Sequence, residues 1–345
     1  MPDGEAVKPV TIAIDAMSGD RGAAVVVSAA LDAVKENEAL SLVLVGIRSE
    51  LEALLHDGHP RIRIVEAADV VRMNERPSHA LRHKRNSSMA VALGLVRDGA
   101  AQGCVSAGNT GALMAFGRSV IRMYPGIERP AIAKLIPSLR GRCHVLDLGA
   151  NVDSPAQRLV EFALMGAVMA QCVDGVARPR VGLLNVGVEA TKGGQVVREA
   201  DILIRSINEA SLFDYQGYAE GGDLFQGYLD VLVCDGFVGN AVLKSSEGLA
   251  RMLVERVQAT FESCLTGRLV GFLARPALKR LKQELDPVRY NGASLLGLSR
   301  TVIKSHGASH ADGFCYAVVR AIDEVAQQLP ERLAHRLMQL PRRSE

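Results

Sequence analysis

Short apolar runs alternate with longer stretches of helical periodicity along most of the 345-residue chain. Val10 to Asp15 (VTIAID), Leu42 to Gly46 (LVLVG) and Ile62 to Glu66 (IRIVE) read as strands, with helices predicted over Ala23 to Asn37 and Ser49 to Leu55 between them. This alternation predicts a mostly parallel sheet covered on both faces. Ala131 to Pro137 and Cys143 to Leu148 are joined only by Ser138 to Arg142, which predicts an antiparallel hairpin. Leu159 to Val173 is a long apolar helix that must bury one face or more, within the chain or at a subunit interface. Later strands are expected at Arg180 to Val186, Asp230 to Cys234 and Thr301 to Lys304. Helices are expected from Ala241 to Glu262 and from Ala311 to Gln328. Asn291 to Gly297 reads as a loop, and the segment after Pro330 as a basic, peripheral tail.

Four of the apolar runs break into small polar residues just before a helix: GCVSAGNTGALMAFG (Gly103 to Gly117), LDLGANVD (Leu146 to Asp153), LLNVGVEATKGG (Leu183 to Gly194) and VLVCDGFVGN (Val231 to Asn240). Open α/β sheets bind ligands beyond the carboxyl ends of their strands, and free N–H groups at a helix start attract anions. The four mouths are therefore expected to line one polar cleft, with Asn109 or Thr110 capping the helix of the first. An ordinary strand-to-helix turn also favours Gly, Ser and Asn; the repetition lifts the ligand-binding reading above it. Lys192, in a glycine-rich turn with Glu189, is the candidate point charge for phosphate or an oxyanion. The G-x-G-x-x-G, Walker A and G-x-S-x-G patterns are all missing.

Two stretches break the rhythm. Val70 to Ser88 carries Arg72, Arg76, Arg82, His83, Lys84 and Arg85 ahead of Ser87 and Ser88. It fits a solvated basic loop and, equally, a contact for phosphate or an acidic partner through Arg82, Lys84 and Arg85. Leu265 to Leu285 places Leu269, Phe272 and Leu273 among cations that include Lys279 and Arg280. Pro276 is expected to split it into two arms, an amphipathic hairpin over 263–286. The hairpin either packs on a partner subunit or enters an anionic membrane surface, the reading its charge favours.

Composition narrows the choices. Hydrophobic residues make up 48% and charged residues 23%, which fits a globular chain. The net charge of +2 offers no global attraction to nucleic acid. The six cysteines are scattered without zinc-like spacing, so thiols in a reducing cytosol are expected and no metal. MPDGEAVKPV lacks the marks of a signal peptide, so a cytoplasmic location is expected. One domain over 10–330 with a tail at 331–345 follows.

Taken together, IAIDAMSGD, LRHKRNSSM, VSAGNTGALMA, LDLGANVD, LLNVGVEATKGG, VCDGFVGNAVLKSSEG and KSHGASHADGF resemble the bacterial acyl-[acyl carrier protein]:phosphate acyltransferases, known as PlsX. Ser18 stands where a glycine is expected. The resemblance implies a three-layer α/β/α sandwich with a mostly parallel, Rossmann-like sheet, related to phosphotransacetylase and isocitrate-dehydrogenase-like folds, with a protruding helical hairpin. It implies a homodimer that converts acyl carrier protein thioester and inorganic phosphate to acyl phosphate, without a cofactor, at the inner face of the membrane. A membrane glycerol-3-phosphate acyltransferase would consume the product in phospholipid synthesis. Such a site needs to hold an anion beside a carbonyl and to stabilise an oxyanion. Lys192, Asn240, Asp235 and Asn109 are the expected catalytic residues, with Asn109, Asn151 and Asn240 donating hydrogen bonds and Asp235 orienting Lys192 or a substrate group. Asp15, Ser18, Gly19, Ser106, Gly108, Thr110, Asn151, Glu189 and His306 are the expected phosphate and substrate contacts. A dehydrogenase or phosphotransacetylase of the same fold, and a non-catalytic carrier-binding scaffold, are the rival readings.

Overall fold

The computed structural model describes residues 9–207, 212–262 and 265–338. The first block alternates as its hydrophobic pattern requires: β1 (Val10–Asp15), α1 (Gly22–Glu36), β2 (Leu40–Gly46), α2 (Arg48–Leu55) and β3 (Ile62–Glu66). The basic stretch then forms a short helix, α3 (Pro77–His83), and Ser87 caps α4 (Ser88–Arg97) by accepting a hydrogen bond from Ala90 N. β4 (Gly103–Ser106) and α5 (Thr110–Phe116) follow.

The middle of the chain supplies β5 (Ala131–Ser138), β6 (Gly141–Leu146), α6 (Ala156–Val173), β7 (Arg180–Leu184), α7 (Gln195–Ile207), β8 (Asp214–Ala219) and β9 (Val231–Val233). After α8 (Gly236–Glu262) and α9 (Leu265–Leu285), the chain returns through β10 (Ala293–Leu296), β11 (Thr301–Lys304), α10 (Ala311–Ala326) and α11 (Leu329–Met338).

Among the described residues all strands join one eleven-stranded sheet in the order β3-β2-β1-β4-β11-β10-β5-β6-β9-β7-β8. β3, β2, β1, β4 and β11 run parallel, as do β6, β9, β7 and β8, while β10 and the β5–β6 hairpin supply the antiparallel pairs. α1, α2 and α10 cover one face of the first block and α4 and α5 the other; α6, α7 and α11 close the second block. The result is a three-layer sandwich. α6 has only Gln157 exposed, and it is buried inside its own chain. Phe162, Met165 and Met169 are fully buried there, and each large apolar side chain so buried stabilises the fold by about 1.5–3 kcal/mol.

Three expectations are corrected. Pro276 does not divide its segment: α9 runs through it unbroken, and the two arms that pack together are α8 and α9, with Phe261 lying against Gly271. The carbonyl freed by proline falls at Phe272, an exposed residue, where solvent is free to replace the missing N–H. The loop at Asn291 to Gly297 contains β10, an interior strand of the sheet. The tail begins with α11, whose Leu329 and Leu333 are buried against α6. Among the described residues no helix is long and apolar enough to cross a membrane.

Candidate active site

The carboxyl ends of three adjacent parallel strands place Asp15, Ser106 and Lys304 in one row, in register with each other. Ser106 Oγ donates to Asp15 Oδ2 at 2.6 Å and accepts from Gly108 N at 3.1 Å. Ser18 Oγ donates to Asp15 O and accepts from Ala107 N. Burial pushes the Asp15 carboxyl above its ordinary range, against the pull of Ser106, Ser88, Ser18 and Lys304. Lys304 Nζ donates to Ala107 O at 3.2 Å and to Ser305 O. Burial lowers its pKa to about 8, although Asp15 and Asp20 favour its charge. Gly19, at φ +93°, makes the turn against Ala107 and the Gly307 carbonyl.

Asn109 caps α5, its Oδ1 accepting from Ala112 N at 2.9 Å. Its amide donates to Met73 O at 2.7 Å and Glu75 O at 3.0 Å. Both N–H donors are thus engaged within the protein, so Asn109 clamps the basic stretch to the first mouth and has none left for substrate. Thr110 is the first residue of that helix.

The β6 and β9 mouths interlock. Asp147 Oδ1 accepts from Ile132 N and Ala150 N, and Oδ2 from Asn151 N and Asn151 Nδ2. Asn151 Nδ2 also reaches Pro130 O, which corrects the expectation that this buried asparagine donates to substrate. Gly239 presses so closely on Asp147 that a Cβ there would lie 1.9 Å from the Asp147 carbonyl oxygen. No side chain fits at that contact. Asp235 accepts from Val238 N at the start of α8, so it caps a helix instead of orienting Lys192.

Past this knot, α8 presents Asn240, Lys244 and Glu247 at one-turn spacing on a single face. Glu247 bridges Lys134 of β5 at 2.8 Å and Lys244 at 3.1 Å. Burial would raise the Glu247 carboxyl, but the two lysines hold it below its ordinary range. His306, in the turn after β11, has its pKa lowered by burial and by Lys244, Lys304 and Lys134, with Glu247 opposing. Its Nδ1 accepts from Ala308 N, which leaves Nε2 to carry the ring proton. Lys134, Lys244 and Lys304, from β5, α8 and β11, thus all act electrostatically on His306, so cations from both blocks of the sheet share one field.

Lys192 and Glu189 lie exposed on the loop after β7, and neither side chain has a hydrogen bond or ion pair among the described residues. The loop is shaped instead by Asn185, which donates to Lys192 O and packs against Gly193. Arg82 and Arg85 are exposed, whereas Lys84 is tied to Glu75 at 2.8 Å and Val70 O at 2.6 Å and does not face outward. Phe272, Leu273, Lys279 and Arg280 are exposed on α9; the side chain of Leu269 lies outside the described residues. Among the described residues no cluster of His, Cys, Asp and Glu is placed to hold a metal.

Comparison with known proteins agrees over nearly the whole length. The family model described as "Fatty acid synthesis protein" matches residues 10–332. A phosphate acyltransferase of Marinobacter nauticus is 66% identical over 98% of both chains. One of Stutzerimonas stutzeri is 53% identical over 95% of this chain and 92% of that one. The fold is shared with the EutD phosphotransacetylase of Staphylococcus aureus (TM-score 0.60, 17% identity, 93% of this chain and 95% of that one). It is also shared with a phosphotransacetylase of Streptococcus pyogenes (TM-score 0.62, 18% identity, 92% and 94%). The chain belongs to the fatty acid synthesis protein family.

Proposed function

We propose that the protein is a phosphate acyltransferase that moves an acyl group from the thioester of acyl carrier protein to inorganic phosphate, giving acyl phosphate and free carrier protein. What supports this reading is the set of cations Lys134, Lys244 and Lys304 that act on His306 from both blocks of the sheet, while Ser106, the hydroxyl beside a carboxylate, is fully buried and bonded to Asp15 and Gly108 N. Cys104, Cys143, Cys172, Cys234 and Cys315 all have thiols pushed up by burial, so none supplies a thiolate. Phosphate, held by Lys244, Lys304 and His306, attacks the thioester carbonyl directly. Asn240, whose side chain has no hydrogen bond among the described residues, and Lys192, brought in on its loop, stabilise the oxyanion as it forms.

Arg72, Arg76, Arg82 and Arg85 lie exposed without ion pairs among the described residues and suit an acidic carrier protein. The exposed Phe272 and Leu273, with Lys279 and Arg280, suit the headgroup layer of an anionic membrane. Leu249, Met252 and Leu253 of α8 form an exposed apolar stripe for the second subunit of a homodimer. A membrane-bound glycerol-3-phosphate acyltransferase is the consumer of the acyl phosphate in phospholipid synthesis. Leu273→Glu is expected to abolish flotation with anionic liposomes while sparing turnover in solution; unchanged flotation returns α9 to the subunit interface.

The deciding experiment mixes the protein with palmitoyl carrier protein and phosphate, and follows free thiol beside hydroxylamine-trappable acyl phosphate. Equal, phosphate-dependent release of both is expected. Thiol without acyl phosphate means a thioesterase, transfer only to coenzyme A means a phosphotransacetylase, and carrier binding without turnover means a scaffold.

A further inference from the structure

The acyl-transfer reading leaves one proton without a carrier. When phosphate attacks, an O–C bond forms, the C–S bond breaks and its electron pair leaves on sulfur. The thiolate must gain a proton, and the attacking phosphate hydroxyl must lose one. Lys304 is the buried cation of the row at the strand ends. Nζ is held by the carbonyls of Ala107 and Ser305, which leaves the third N–H of an ammonium for another partner. The two carbonyls belong to the turns after β4 and β11, and those two strand ends are joined where Ser305 N bonds Ser106 O. In the same row as Lys304 stands Asp15, fully buried, whose Oδ1 has no hydrogen-bond partner among the described residues.

We propose that Lys304 is the proton relay of this transfer: its ammonium gives a proton to the departing thiolate, and the resulting amine takes the proton of the phosphate hydroxyl. One proton leaves Nζ and one returns, so each turnover restores the starting state without a second acid. The inference rests on the acyl-transfer reading and assigns it a residue that the sequence pattern did not single out.

The charged surroundings match this task. Asp15 of β1 and Asp20 of the following turn favour the ammonium, Lys244 of α8 opposes it, and His306 beside it feels Lys304 as a positive neighbour. Glu247 and Lys134 also act on His306, the first favouring and the second opposing its charge. With burial the dominant influence, the amine is set to about 8, close to the thiol it must protonate, at roughly 8.5. An acid matched to its leaving group near working pH transfers a proton most effectively, an effect of about 10²–10⁴-fold in rate.

The test compares two palmitoyl donors, the carrier-protein thioester and a nitrothiophenyl thioester whose thiolate leaves without needing a proton. Lys304→Met is expected to lose at least about 10²-fold in kcat on the carrier thioester but less than about tenfold on the aryl one. Lys304→Arg keeps the charge and the two carbonyl contacts. It is expected to retain the KM for phosphate, to remain slow on the carrier thioester, and to lack the decline in activity expected of the wild-type protein as pH rises through about 8. Equal losses on both donors in Lys304→Arg, or full activity in either variant, overturn the relay. If the wild-type chain makes acyl phosphate and only the donor dependence fails, the relay alone is wrong; if wild-type makes none, the acyl-transfer reading falls and the relay with it.

Discussion

The turn after β4 and the loop after β7 are written in the same vocabulary, an apolar strand followed by glycines and one or two polar residues before a helix. Their construction differs. After β4, Ser18, Ser106 and Asn109 bond to Asp15, to backbone N–H groups and to the carbonyls of Met73 and Glu75, and their polar atoms face inward. After β7, Lys192 and Glu189 stand in solvent with side chains engaged by nothing described. Residues of one type therefore do two jobs here: the first mouth is a frame, and the second presents free groups to whatever arrives.

The contrast can be broken by substitution. The largest effect is expected where frame meets frame: Gly239→Ala drives a Cβ into the Asp147 carbonyl and should cost about 3 kcal/mol or more, read as a collapse of the melting temperature. Lys192→Ala should leave melting unchanged and lower kcat by about 10²–10³-fold, the scale of one lost oxyanion partner; near-normal turnover would remove the lysine from the mechanism. Asn109→Ala should do the reverse, costing about 1–2 kcal/mol of stability through the lost cap and clamp, with turnover per folded molecule reduced less than in Lys192→Ala.

The smallest effect concerns the clamp's far end. The Lys84 ammonium, outweighing burial and aided by His79 and the Arg72 amide, holds the Glu75 carboxyl down to about 2. A depressed acid stabilises the fold above its unfolded value of about 4.5 and loses that contribution as pH falls towards 2. Glu75→Gln should therefore lower the melting temperature at pH 7, and the gap to wild-type should narrow between pH 4.5 and 3. A gap that is constant with pH would make the Glu75–Lys84 pair electrostatically idle.

Much of this architecture was legible because local rules and tertiary packing agree. Alternating runs showed most strands, a short connection showed the β5–β6 hairpin, and Asn109 was one of two candidate caps. Elsewhere a local rule misled. Pro330 read as an end, yet proline is tolerated in a first turn, and Leu329, Leu333 and Leu337 repeat at the spacing of one helical face. Pro276 read as a break, yet an exposed helix can lose one hydrogen bond to water. The lysines that act on His306 were missed for a different reason: Lys134 sits mid-strand in AIAKLIP, Lys244 two turns into α8, and Lys304 at the end of TVIK. A cation inside an apolar strand is a signal available in one dimension. That three of them share one field is a property of sheet order, which is not.

The burial of α6 has a consequence for how the chain is made. Its neighbours include Val231, Val233, Leu296 and, on α11, Leu329 and Leu333. At a synthesis rate of about 5–20 residues per second, the ribosome adds the chain from α6 to α11 in roughly 10 to 30 s. Throughout that interval one of the most apolar helices of the protein exists before the segment that seals it. The nascent chain must therefore travel with a greasy surface that only its last few turns can cover, a stretch of time in which a holding chaperone has something to grip.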